Sequence, residues 1–169
     1  MSEKLKVGII GAGRIGRMHA ENIVSNFRYV EVKAVADIFA DKLVDWAREL
    51  DIKHVYKDYR KILKDPEIKA VLIFSSTDTH AQIIIESAEV GKDIFCEKPL
   101  AMDLCQAREM WAAAEAKGLK TGVNFSHRRT PAAQLAREII ARGALGTITT
   151  VQAVYAAGGV GYAQHPGTW

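Results

Sequence analysis

The apolar run Lys6-Val7-Gly8-Ile9-Ile10 ends at Gly11-Ala12-Gly13-Arg14-Ile15-Gly16, and an amphipathic segment follows at once. Few local patterns restrict a fold more. A strand, a tight turn and a helix must form within about a dozen residues, and the three glycines have separate tasks. Gly11 permits the turn, Gly13 lets a pyrophosphate approach the backbone, and Gly16 lets the helix lie close on the strand. The helix N-terminus then offers free N–H groups and the positive end of its dipole to an anion. Glycine-rich turns are common, so the pattern needs support from the rest of the chain.

Val30 to Asp37 is a second apolar run. Ala70-Val71-Leu72-Ile73-Phe74, Asp93-Ile94-Phe95-Cys96 and Lys120-Thr121-Gly122-Val123 read as three more strands. Ala70 to Phe74 is apolar without alternation, and strands with no polar face need cover on both sides. The segments between them supply it. Ile15, His19 and Ile23 recur four apart, and Leu104, Ala107, Trp111 and Ala114 form a stripe expected to be core. Thr79 and Gln82 have the form of a capping box for a helix running to about Val90. Strand and helix alternate about five times, which predicts an α/β, doubly wound parallel sheet.

The character changes near residue 125, giving a first domain over 1–125 and the beginning of a second over 126–169. Thr130-Pro131 starts a helix carrying Leu135 and Ile139, with Gly143 as its stop. Thr147 to Tyr155 reads as one β-branched strand, expected to pair with another copy through its open edge or stay mobile. Gly158-Gly159-Val160-Gly161 follows. One helix and one strand cannot form a core, so most of a second, α+β domain is expected to lie outside this chain.

Composition narrows the partners. With 23 Lys+Arg against 20 Asp+Glu scattered over 169 residues, nothing favours nucleic acid or a membrane surface. The cysteines, Cys96 and Cys105, suit neither a disulfide framework nor a zinc site, and both are expected to be buried. No metal site is suggested by the histidines; His19 is placed at the interior or cofactor edge, and His54 and His127 at the surface or in a linker. A short, polar N-terminus leads straight into a strand, so a cytoplasmic protein is expected.

Asp37 ends the second strand at roughly the 20-residue distance where a carboxylate accepts hydrogen bonds from the adenosine ribose. Its charge opposes a 2′-phosphate, and no Arg follows at Ile38 or Phe39, so NAD is favoured over NADP. Glu97-Lys98-Pro99 follows the Cys96 strand end, on the side of a parallel sheet where ligands bind. Lys98 there can hold a substrate oxygen through a charged hydrogen bond, and a cis Lys98-Pro99 bond would fix where it points. A surface Glu-Lys pair before a turn proline fits the spacing equally well.

With these residues in view the chain resembles the glucose-fructose oxidoreductase, inositol dehydrogenase and rhizopine-catabolism family (Gfo/Idh/MocA). Gly91-Lys92-Asp93-Ile94-Phe95-Cys96-Glu97-Lys98-Pro99-Leu100-Ala101 matches its G-K-x-V-x-x-E-K-P-L-A stretch. Val123-Asn124-Phe125 with Arg128-Arg129 resembles its crossing into the second domain. The resemblance implies a Rossmann domain that binds NAD(P), and an oxidoreductase moving hydride to or from a sugar, cyclitol or related polyol, working as a homo-oligomer. By position, Gly11, Gly13, Arg14, Ile15 and Gly16 would line the pyrophosphate and Asp37 the ribose. Ser75, Thr77 and His80 would lie near the cofactor. Glu97 and Lys98 would sit by the nicotinamide ribose and the reacting carbon, with Lys98 catalytic, and Asn124 would be a nicotinamide neighbour. Ser76 stands where the family often has proline. The family's D-x-x-x-H pair would fall beyond Trp169, and without it the isolated chain is expected to be inactive. Two alternatives remain: a non-catalytic NAD-binding module or sensor, and a Rossmann reductase of another substrate, like biliverdin reductase. Continuation of the reading frame into D-x-x-x-H separates the dehydrogenase from the module.

Overall fold

The computed structural model describes residues 3–154. Contacts divide the chain after Asn124 into two compact units. The first is a parallel sheet of six strands: β1 (Leu5–Ile10), β2 (Val30–Ala36), β3 (His54–Tyr56), β4 (Ala70–Ile73), β5 (Asp93–Cys96) and β6 (Thr121–Val123). Their spatial order is β3-β2-β1-β4-β5-β6, so the winding reverses between β1 and β4. Helices α1 (Arg14–Asn26), α2 (Val44–Glu49), α3 (Arg60–Leu63), α4 (Thr77–Glu89) and α5 (Leu104–Ala116) connect them. The doubly wound architecture is the expected one, with β3 added at an edge.

The mainly apolar strands pack into two cores, one on each face. Val7, Ile9, Val32 and Val35 pack on one side with Ala20, Leu43 and Ala47. Ile10, Ala34, Val71, Ile73 and Ile94 face the other, with Ile62, Ile84 and Met110. Gly8 also lies on the strand that both cores share, at the shift in register between β1 and β2. A Cβ there would come within 2.3 Å of Ile62 Cγ2, so α3 can approach the sheet only because the side chain is absent.

Several local expectations change. α4 begins at Thr77, ahead of the predicted capping box, because the Thr79 hydroxyl donates back to Ser76 O (2.7 Å) inside the first turn and Gln82 reaches Glu86. A reciprocal cap forms instead at α5, where Asp103 accepts from Gln106 N–H and Gln106 Oε1 accepts from Met102 N–H. The α5 stripe is corrected too: Met110 and Ala114 face the core, while Leu104 (65% exposed) and Trp111 (62%) do not. Cys105, next to Leu104, is exposed, and only Cys96 is buried as expected.

In the second unit Thr130 caps α6 (Pro131–Ala141) by accepting from Ala133 N–H, and Gly143 ends the turn at φ +70°. Leu135 and Ile139 are on its exposed surface. The strand expected from Thr147 is absent over residues 147–154, which are exposed and without regular structure. A strand needs a neighbour to take its N–H and C=O groups, and none pairs with it among the described residues. Tyr155, the 158–161 glycine segment and His165 lie outside the described residues.

The Gly8 contact gives a test. Gly8→Ala should destabilise the fold by about 1–3 kcal/mol through overpacking. Ile62→Ala should cost less in that background than alone, because it removes the clash. Urea denaturation of both single variants and the double variant measures the coupling, and strictly additive values would refute the contact.

Candidate functional site

Strand pairing carries the ends of five strands to one edge of the sheet. Gly11 N–H donates to Ala36 O (2.8 Å), Phe74 N–H to Ile10 O (2.7 Å), Glu97 N–H to Ile73 O (2.9 Å) and Asn124 N–H to Cys96 O (2.8 Å). The residues that follow these strands are therefore neighbours. They form three groups.

The first group surrounds the glycine turn. Gly11 sits at φ +90°, and a Cβ on it would meet Ser75 N at 2.4 Å; one on Gly16 would meet Gly11 O at 2.0 Å. Both positions serve the close approach of strand and helix. At Gly13 a Cβ would meet nothing within 4 Å, so its backbone faces open space at the start of α1. No side chain caps that helix and no acid lies in its first turn, which leaves its first N–H groups and its dipole available to an anion. Asp37 Oδ2 accepts from Ala12 N–H (2.8 Å) and Oδ1 from Phe39 N–H (2.8 Å), so the carboxylate is held against the turn. A cleft of about 370 Å³ joins Gly13, Arg14 and Asp37 with Ala12, Arg17, Phe39, Lys42 and Leu43. Ile15 is turned toward the core, so the cleft has access to its backbone rather than its side chain.

The second group is a polar chain. Asn124 Nδ2 donates to Glu97 Oε2 (2.6 Å) and lies 3.2 Å from His19 Nε2. The His19 ring stacks on Phe74, with centroids 4.5 Å apart and planes at 10°. Burial lowers the His19 pKa below its ordinary value, and the Glu97 charge opposes that shift. Lys98 is exposed beside Glu97, and the Lys98–Pro99 peptide is cis.

The third group links two loops. His80 is 1% exposed. Its Nδ1 lies 3.1 Å from Pro99 O and 3.2 Å from Leu100 O, and its Nε2 3.1 Å from Ser75 O. It is a strut between the loops after β4 and β5, away from the cleft wall. The Ser75 and Thr79 hydroxyls share a hydrogen bond (2.7 Å), and Thr77 opens α4 half-buried.

The uncapped N-terminus, the open Gly13 backbone and the fixed Asp37 carboxylate fit a dinucleotide. A family model described as "Oxidoreductase family, NAD-binding Rossmann fold" (Gfo/Idh/MocA) matches residues 5–125. The chain belongs to the Gfo/Idh/MocA family. It is 41% identical to the uncharacterized oxidoreductase YrbE of Bacillus subtilis, covering 87% of this chain and 43% of that protein. It is 32% identical to myo-inositol 2-dehydrogenase of Thermotoga maritima, over 84% of this chain and 42% of the relative. Levoglucosan dehydrogenase solved with NADH superposes with a TM-score of 0.78 at 35% identity, covering 85% of this chain and 41% of that one. Scyllo-inositol dehydrogenase from Lactobacillus casei with NAD(H) and scyllo-inositol gives 0.81 at 27% identity, over 85% and 43%. This Gfo/Idh/MocA chain thus spans less than half the length of these relatives.

Sequence reasoning missed Arg17, Phe39, Lys42 and Leu43 on the cleft wall, and the link from His19 to Asn124. Arg17 follows Arg14 by three and so shares its helical face, a signal that was present. Lys42 lies in a short helical turn after Asp37 and carries no periodic signal. Among the described residues no helix is long and apolar enough to cross a membrane, and no three His, Cys, Asp or Glu side chains gather as metal ligands.

Cys96, behind this edge, has its thiol pushed up to about 12 by burial, with the Glu97 charge adding to the effect. Thiolate is the reactive form. In the folded chain at pH 8, iodoacetamide should label Cys105 alone; labelling of Cys96 at a comparable rate would show that this core opens readily.

Proposed function

We propose that the chain is the cofactor-binding domain of an NAD-dependent dehydrogenase of cyclitols or sugars, with NAD preferred to NADP. The observation that carries this reading is the Asp37 carboxylate, held by the N–H groups of Ala12 and Phe39 beside the open Gly13 backbone. Each Asp37 oxygen retains a lone pair for a ribose hydroxyl. A phosphate in that place would meet a fixed negative charge.

Bound NAD supplies the acceptor for a hydride leaving the substrate carbon. The N-terminus of α1 and the Gly13 backbone would hold the pyrophosphate, with Arg14 alongside. Glu97 and Asn124 would orient the nicotinamide end, and Lys98 would donate a hydrogen bond to the substrate oxygen. Ser75 in the loop after β4 and Thr77 at the start of α4 would flank the cofactor, and His80 supports that loop through Ser75 O. The substrate class is supported by relatives named for inositol and levoglucosan.

Calorimetric titration should show NAD binding more tightly than NADP. Asp37→Ala should narrow the ratio by about tenfold or more, the worth of charged hydrogen bonds. Lys42→Ala should weaken NADP more than NAD, because Lys42 is a cation on the wall of the same cleft. Absence of NAD binding, or an unchanged ratio in Asp37→Ala, would overturn the assignment. Appearance of NADH with a panel of inositols and anhydrosugars tests the reaction class.

A further inference from the structure

We propose that His19 is a positioning residue, which as a neutral imidazole protonated on Nδ1 fixes the Asn124 amide against Glu97. Its effect on cofactor affinity rests on the dehydrogenase reading above, but its tautomer does not.

The assignment follows from donors and acceptors. Asn124 reaches Glu97 Oε2 at 2.6 Å, and only the NH₂ group can face a carboxylate so closely. The amide oxygen there would set acceptor against acceptor. The same nitrogen lies 3.2 Å from His19 Nε2, so its second hydrogen is directed at the ring. An N–H on Nε2 would oppose it. Nε2 therefore accepts, and the ring proton sits on Nδ1.

The ring is held in place for this task. It stacks on Phe74 and meets Phe95 edge-on at 6.3 Å, while Phe74 and Phe95 also pack edge to face. Turning His19 away would break both ring contacts. His19 is three residues past Gly16 on α1, so the unit that forms the phosphate cradle also carries this acceptor to the ends of β5 and β6. Three elements are thus joined through one amide.

Protonation reverses the arrangement. With hydrogens on both ring nitrogens, Nε2 can no longer accept, and Asn124 must turn its oxygen toward the ring, giving up the bond to Glu97. The ring is faced by Phe74 after β4, Phe95 of β5, Glu97 after β5 and Asn124 after β6, and Glu97 is the charged group acting on it. Burial outweighs that charge, so the cation forms below the ordinary value of 6.5 and the arrangement is intact at neutral pH.

Long-range ¹H–¹⁵N correlation on the unliganded chain at pH 7.5 reads the tautomer directly, with Nδ1–H expected for His19. Wild-type NAD affinity should fall by about three- to tenfold as the pH is lowered from 7.5 through the His19 titration followed in the same spectra, the worth of one hydrogen bond. His19→Gln keeps an acceptor at the Nε2 position and cannot titrate, so it should bind nearly as the wild type does at pH 7.5 with a flat profile. His19→Leu keeps apolar packing without an acceptor and should be weak at every pH. A protonated Nε2 in the neutral ring, or a His19→Gln profile that follows the wild type, would overturn the inference. If the wild type binds no NAD, the dehydrogenase reading fails while the tautomer still decides this one.

Discussion

The passage from β1 into α1 closes because two residues have no side chain. The Gly16 Cα faces Gly11 O so closely that an added carbon would lie 2.0 Å from it, and Gly11 itself is pressed on the backbone at Ser75. Those contacts set the angle at which α1 leaves the sheet. They also decide where the first free N–H groups of the helix point, and they bring the loop after β4 against the glycine turn. Asp37 completes the arrangement from β2 by binding Ala12 N–H. The cradle is thus made by backbone proximity first and by side-chain chemistry second.

The two edges of the sheet carry different work. At the strand starts, Lys33 bridges Asp65 and Glu67, Lys6 reaches Glu67, and the buried Lys92 donates to Asp65 O (2.8 Å) and Ile68 O (2.7 Å). Burial alone would disfavour the Asp65 charge, but hydrogen bonds from Lys33 and from the Glu67 N–H outweigh it and hold the carboxyl below its usual range. A depressed carboxylate pKa contributes stability that is present above its unfolded value and is lost as the pH falls through the folded one. This cluster ties the loop before β4 to β1, β2 and β5. At the strand ends the polar groups are instead arranged around open space.

Much of this was legible in the sequence. Two-sided burial leaves mainly apolar strands, and the glycine spacing is demanded by the close contacts just described, so the sheet and its winding could be read. What escaped was decided by tertiary contact. Trp111 has the spacing of a core residue on α5, yet the sheet is met by Met110 and Ala114, and one residue of rotation about a helix is enough to exchange them. The segment from Thr147 is β-branched, but propensity cannot substitute for a neighbouring strand. Lys42 enters the cleft through a turn with no period, and the His19–Asn124 contact joins residues 105 apart in sequence.

The most specific stretch of sequence, residues 91–101, gains its length from independent demands at the two ends of one short strand. Gly91 adopts φ +73° at the end of the α4 turn, and Lys92 is buried to satisfy the carbonyls of the loop before β4. β5 then contributes Ile94 and Cys96 to one core while Phe95 packs toward the other. Beyond it, Glu97 accepts from Asn124, and the carbonyls of Pro99 and Leu100 meet the His80 ring. A substitution at the first end acts on folding, and one at the second acts on the geometry of the site. That division explains why a single motif joins a lysine sealed in the interior to another, six residues on, exposed beside Glu97.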